Sequence, residues 1–272
     1  MMHHAAIFKN AHGMLDEWNL IELGDLEDEQ LAQLGTTRAH LQTICDALNI
    51  DSEHLYYDHG NQLYPTCYWD GLFYYAFLTL QPEVILGQHN ATGDPLNGLY
   101  AKPFKQMKTV ITDAVNHEDW AKLFNYVDKK VSLLVFTKLR NRIPIDQQKA
   151  LFLEIYRRNE YGFHKLNQTM VRDILNQPTP DEYQIQHAIP DITESDIITI
   201  YRGVTPESAP LERAYSWTLD KNVAQFFANR FGTEGEILTA TVRVGDIKAY
   251  MSSRSESEVL VLPEDVCHNH TK

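Results

Sequence analysis

The sequence predicts an α+β chain, helical through its larger N-terminal portion and closed by a run of antiparallel strands. Three observations carry that expectation. From Leu31 to Leu175, apolar residues recur three and four positions apart, the spacing that lines one face of an α-helix. From Ile197 onward they alternate with polar residues, the pattern of a half-buried strand. The composition, 43% hydrophobic and 22% charged over 272 residues, belongs to a globular chain able to bury one large core or two modest ones.

Leu31, Leu34, Leu41, Ile44, Cys45 and Leu48 outline one or two helices with a single buried stripe, and Thr36 or Thr37 caps the second. Trp69–Leu80 is dense in aromatics and reads as a buried helix, a matter of core packing ahead of a substrate pocket, in which Tyr74 and Tyr75 need partners for their hydroxyls. Gly87, Gly93, Pro95 and Gly98 mark an irregular connection over 87–98. Phe104, Met107, Val110, Ile111 and Val115 suit one amphipathic helix. Trp120, Leu123, Phe124, Val127, Val131, Leu134, Val135 and Leu139 suit the next. Pro144 introduces a helix over Gln147–Arg158, anchored by Leu151, Phe152 and Ile155, and His164–Leu175 follows as another. Pro178, Pro180 and Pro190 then form a loop-rich passage, either a domain boundary or an ordered flank.

The last quarter is expected to run strand, polar turn, strand, helix and three further strands. The helix spans Lys221–Phe231, with Asp220 at its N-cap and Gly232 as its stop. Ile237–Val244 and Asp246–Tyr250 are strands, and Met251–Ser255 is a polar loop leading into a strand that starts at Glu256.

The formal net charge of −13 is unevenly distributed. Residues 1–101 carry 2 basic and 14 acidic side chains, whereas residues 102–172 carry 14 basic and 7 acidic. Lys129, Lys130, Lys138, Arg140, Arg142, Arg157 and Arg158 supply half of those basic side chains. They read either as a solvated helical surface or as a face for phosphates or an acidic partner. No apolar run reaches membrane-spanning length, and Met1-Met2-His3-His4 lacks a secretion signal. The three cysteines, Cys45, Cys67 and Cys267, suggest no disulfide framework, so a reducing, cytoplasmic setting is expected. Cys267-His268-Asn269-His270 crowds metal-binding residue types at a chain end without a partner pair and reads as a frayed tail; no metal is expected.

Three short pieces carry chemistry: Tyr201-Arg202-Gly203, Ser216-Trp217-Thr218 and Glu256-Ser257-Glu258. On strands, Ser216 and Thr218 share a face, as do Glu256 and Glu258. An arginine is suited to grip phosphate, a hydroxyl to orient a carboxylate, and a carboxylate to stabilise positive charge growing on a sugar ring. The residues alone leave a glycosidase, a transferase and a binding site open.

In order and spacing, "IYRGV", "YSWTLDKNVAQFFANRF" and "RSESEVLVLP" resemble the mono-ADP-ribosyltransferases of the arginine–serine–glutamate class, which include bacterial toxin and phage enzymes. The resemblance covers residues 195–266. It implies a split β-sandwich core in a catalytic domain over 101–272, with a helical half 101–195 and a strand-rich half 196–266, preceded by a helical region 1–100 of unassigned role. It further implies NAD+ as co-substrate, gripped by Arg202, with Gly203 holding the nicotinamide amide and Phe227, ahead of Phe226, packing on the ring. Ser216 would order the catalytic Glu258, and Thr218 would support the same pocket. Arg254, Ser255 and Glu256 would form the turn that meets the acceptor, with Glu256 activating it. That acceptor would be a protein arginine or a nucleic-acid base. The same family likeness brings an antitoxin or chaperone into view as a partner. Where the family usually has Ser-Thr-Ser, this chain has Ser216-Trp217-Thr218, and Trp217 is expected to pack into the sheet core. Two rival readings use the same residues: an NAD glycohydrolase, which needs no acceptor, and a degenerate transferase fold that only binds.

Overall fold

A computed structural model of the chain describes residues 20–58, 65–87, 100–159, 163, 166–230, 235–252 and 256–268. The chain divides into two compact units, Met1–Ile143 and Pro144–Lys272. The first three helices of the basic middle belong to the N-terminal unit.

The N-terminal unit contains an antiparallel sheet where helix and loop were expected. Its strands are β1 (Leu20–Glu22), β2 (Leu55–Asp58), β3 (Thr66–Trp69) and β4 (Tyr74–Phe77), paired in that order. The aromatic run read as a buried helix is therefore a hairpin, with Tyr68 opposite Tyr75 and Trp69 opposite Tyr74. Its turn is built by Asp70, whose carboxylate accepts from the N–H groups of Leu72 (3.0 Å) and Phe73 (2.8 Å), and by Gly71 at φ 87°. Helices α1 (Asp28–Gln33) and α2 (Arg38–Leu48) carry the expected stripe, with Leu31, Leu41, Ile44, Cys45 and Leu48 buried. Of the two candidate caps, Thr37 is the one used, accepting from His40 N–H.

After the short α3 (Pro82–Ile85) come α4 (Ala101–Asn116), α5 (Trp120–Tyr126) and α6 (Lys129–Leu139). The stretch read as one helix over 120–139 is two, because Val127 is extended and Asp128 caps α6 through Lys130 N–H. Phe104 of α4 is buried among rings of the sheet, 5.1 Å from Phe73, 5.2 Å from Tyr68 and 5.4 Å from Tyr75. Lys130 of α6 turns inward to Asp58 of β2 at 2.8 Å, the two side chains 6% and 2% exposed. Burial pushes the thiol of the neighbouring Cys67 up to about 12, with Lys130 opposing the rise and Asp58 adding to it.

The C-terminal unit begins with α7 (Ile145–Arg158) and α8 (Gln168–Leu175). The latter starts later than His164, capped by Asn167 through Met170 N–H. Lys149 of α7 is buried, and its ammonium donates to Leu175 O, Gln177 O and Thr179 Oγ1, each at 2.8 Å. Lys149→Met is expected to remove roughly 2–3 kcal/mol by leaving those carbonyls unpaired, read as a lower urea midpoint. Burial, then the Lys248 charge, lowers the Lys149 pKa from 10.5 to about 8. The folded chain therefore holds fewer protons than the unfolded one between those values, and stability rises with pH across that window. The Lys149→Met chain should lack that component of the rise.

The proline-marked passage is an ordered flank and not a boundary: it forms 3-10 turns at Asp181–Tyr183 and Ile185–His187, and Ile185 sits in the core. Beyond it lie β5 (Ile197–Val204), β6 (Ser216–Thr218), α9 (Lys221–Ala228), β7 (Glu236–Arg243), β8 (Ile247–Met251), β9 (Glu258–Val261) and β10 (Cys267–His268). These strands form a six-stranded antiparallel sheet, order β10-β7-β5-β6-β9-β8. Helix α9 ends at Ala228, short of the expected Phe231, which with Gly232 lies outside the described residues. Cys267 and His268 are not a frayed end: they pair with Thr241 and Ala240 of β7.

The sheet has two three-stranded halves. β5 and β7 pair over eight residues, and β6 and β9 over three, but β5 meets β6 at one position, Tyr201 opposite Thr218. Ile200, Trp217, Ala240, Val242, Val259 and Val261 pack into one core with Ile185 and Val266. Trp217 is 2% exposed, as its sequence context required. Ser216, Thr218 and Glu258 alternate out of that core.

Candidate active site

Strand alternation sets the candidate site. In β6, Trp217 turns into the core, which leaves Ser216 and Thr218 on the opposite face. In β9, Val259 and Val261 do the same and leave Glu258, opposite Thr218, on the same face as Ser216. The Ser216 hydroxyl donates to Glu258 Oε1 in a short hydrogen bond. Arg202 lies one residue beyond the single β5–β6 pairing, where further backbone pairs are missing between the two strands. Its guanidinium donates to Ser216 O at 2.5 Å and so takes the place of a ladder donor. Ser216 thus touches the arginine through its carbonyl and the glutamate through its hydroxyl.

The electrostatics follow from burial. Desolvation raises Glu258 above the ordinary carboxylate value of 4.5. Hydrogen bonds from Ser216 and Tyr156 and the charge of Arg202 oppose that rise, and Glu256 adds to it. Burial lowers Arg202, with Tyr156 and Glu258 holding it up. Arg202 Nε is buried and, among the described residues, has no hydrogen-bond acceptor. A buried donor of a charged group without an acceptor is costly, and an anionic ligand would complete it.

Thr218 is also engaged: its Oγ1 donates to Glu256 O at 2.6 Å and accepts from Asp220 N–H at 3.0 Å. It therefore ties the turn before β9 to the start of α9, where Asp220 caps through Asn222 N–H as its position implied. Gly203 lies directly under that helix. A Cβ there would stand 2.1 Å from Ala224 O and 2.5 Å from Ala228 N, so only glycine allows α9 to seat on β5. Phe227 is half-buried beside Gly203, whereas Phe226 is 65% exposed; their ring centroids are 5.5 Å apart.

Glu256 does not share a strand with Glu258. The strand begins at Glu258, and Ser257 has φ 44°, so the expected alternation from 256 to 258 is broken. Glu256 belongs instead to the turn, anchored by its carbonyl to Thr218, while Ser257 O accepts from Leu219 N–H at 3.0 Å. Arg254 and Ser255 lie outside the described residues.

The basic set is divided between the two units. Lys129, Lys130, Lys138, Arg140 and Arg142 belong to the N-terminal unit, and Arg157 and Arg158 to the C-terminal one. Lys130 is withdrawn from any polyanion by its buried pairing with Asp58. Lys138 donates to Gly71 O at 3.2 Å, Arg142 to Val115 O at 3.2 Å, and Arg157 binds Glu154 at 2.8 and 3.1 Å. Lys129 is exposed, and Arg140 and Arg158 are half-buried.

One participant was missed in the sequence. Tyr156, on the last turn of α7, donates its hydroxyl to Glu258 Oε1 at 2.9 Å. It continues the Phe152 stripe four residues on, so its inward direction was legible; its acceptor, 102 residues later, was not. Among the described residues there is no cluster of histidine, cysteine or carboxylate side chains fit for a metal, and no helix is long and apolar enough to cross a membrane. Comparison of the chain with protein-family models, curated proteins and solved structures finds no significant match to any of them.

Proposed function

We propose that the C-terminal unit is an NAD-dependent mono-ADP-ribosyltransferase, acting on a macromolecular acceptor in the manner of a toxin or phage effector. One observation carries this reading: Ser216 joins Arg202 and Glu258 into a single half-buried constellation, in the order and with the residue types that the resemblance calls for. The buried, acceptor-less Nε of Arg202 fits a dinucleotide phosphate or ribose oxygen. The division of the sheet into two halves that meet at one pair agrees with a split sandwich.

The dinucleotide supplies a glycosidic bond whose cleavage sends the bonding electrons away with nicotinamide and leaves positive charge on the ribose. The chain's residues then have separate tasks. Arg202 holds the dinucleotide. Gly203 offers its backbone groups to the nicotinamide amide, and Phe227 offers a ring beside it. Glu258, oriented by Ser216, binds a ribose hydroxyl and, as the carboxylate, stabilises the growing charge. Glu256, on the turn secured by Thr218, takes the proton that the acceptor gives up as the new bond to ribose forms.

The test uses the full chain, labelled NAD and a whole-cell lysate, followed by separate protease and nuclease digestion. Label retained through one treatment and lost in the other assigns the acceptor as protein or nucleic acid. Glu256→Gln is expected to reduce transfer by roughly 10²-fold while nicotinamide release in the absence of acceptor persists. Release of nicotinamide with no label on any macromolecule would establish the glycohydrolase instead. Binding of NAD without release would leave a binding module.

A further inference from the structure

We infer that Tyr156 is a positioning residue for Glu258: together with Ser216 it saturates Oε1 and leaves Oε2 as the oxygen that engages substrate. The inference rests on the transferase reading for its meaning, but its geometry stands independently. An ionised carboxylate offers two acceptor directions on each oxygen. Both donors from this chain, the hydroxyls of Ser216 and Tyr156, go to Oε1. Among the described residues no donor goes to Oε2.

Tyr156 is itself fixed. Phe163 packs on its ring, with centroids 4.3 Å apart and planes at 50°, and Phe163 is backed edge-on by Phe152 at 5.7 Å. The hydroxyl keeps its proton over the working pH range, because burial and then the Glu258 charge push Tyr156 well above its ordinary value. It is thus a permanent donor, approaching from a helix while Ser216 approaches from the sheet. Two donors from different elements fix the carboxylate plane in a way that one hydroxyl, free to rotate, does not.

A tyrosine buried only for packing would also satisfy its hydroxyl, so the test must read the state of Glu258. The titratable and charged groups facing that carboxylate are Tyr156 from α7, Arg202 from β5 and Glu256 from the turn; Ser216 donates from β6, and Met251, the β8 residue paired with Glu258, does not titrate. Removing the tyrosine hydroxyl removes a donor that favours the ionised form, so Glu258 should hold its proton to higher pH.

The experiment compares the full wild-type chain with Tyr156→Phe, measuring nicotinamide release from NAD against pH. The expected result is a rate lowered roughly tenfold at neutral pH, an acid limb displaced upward, a deficit that narrows as pH rises, and little change in KM. An unchanged rate, or the same loss at every pH, overturns the inference. Carbon-13 NMR of labelled glutamate carboxyls gives a readout that needs no turnover, the Glu258 resonance being the one absent in Glu258→Gln. Its midpoint should rise in Tyr156→Phe, and an unmoved midpoint overturns the positioning role. If wild type releases no nicotinamide yet the midpoint moves, the transferase reading fails while the positioning stands. Should Tyr156→Phe not fold, Phe163→Leu, which keeps the hydroxyl but frees its ring, is expected to move the midpoint in the same direction, and no movement overturns the inference.

Discussion

Glu258→Gln is expected to lower nicotinamide release by about 10²–10³-fold with NAD affinity nearly unchanged. The side chain keeps its shape, and the amide oxygen can still accept from Ser216 and Tyr156, so the pocket is preserved. On the transferase reading, what disappears is the negative charge that would face the ribose as nicotinamide departs. Because burial is the first cause of the raised Glu258 pKa, ionising it costs the fold stability. The native chain holds this proton to higher pH than the unfolded one, so the group's contribution falls as pH rises through its folded value. The glutamine variant escapes that cost, and its thermal midpoint at neutral pH should equal or exceed that of the wild type. A variant that is stable and inert identifies a group retained for chemistry. Turnover within a few fold of wild type would remove the carboxylate from the mechanism.

The largest effect on stability is expected in the N-terminal unit. Lys130→Met leaves the Asp58 carboxylate, 2% exposed, without its cation in an apolar setting. Breaking one side of such a pair costs roughly 3–5 kcal/mol, whereas replacing both partners by apolar residues of similar size is often close to neutral. Urea unfolding should therefore show a large fall in midpoint for Lys130→Met and substantial recovery in Lys130→Met/Asp58→Leu. Equal losses in the single and double variants would mean that packing, not the unpaired charge, governs the site.

Lys130 also illustrates what the sequence could and could not convey. Its neighbours in the chain mark it as one more cation on a basic helix. Only the fold reveals that its ammonium lies 5.3 Å from the Tyr74 ring centroid and against a carboxylate 72 positions earlier. Helix periodicity was legible where one face is wet, as in Leu41, Ile44, Cys45 and Leu48. It failed over Trp69–Leu80 because Tyr68, Phe73, Tyr74 and Phe77 are all buried, which erases the alternation that identifies a strand. Asp70-Gly71, a turn signal, was the clue that survived.

At the candidate site the arginine, serine and glutamate were legible because β6 and the start of β9 alternate cleanly and lie in the order of a known pattern. Strand alternation misplaced Glu256 for a local reason, although the resemblance had put it on the turn that it occupies. A strand pattern read backward from Val259 does not register that Ser257 leaves extended backbone. Tyr156 was beyond reach because a hydrogen bond between distant elements leaves no periodic trace.

The seam between the two sheet halves bears on how position 202 can be interrogated. A side chain that stands in for a backbone rung is both fastener and ligand, so cutting it back loosens the join at the moment it empties the grip. Inactivity at 202 would not separate a lost contact from a lost shape, whereas the carboxylate at 258, which replaces no backbone rung and whose glutamine analogue keeps both hydroxyl contacts, gives an unmixed answer.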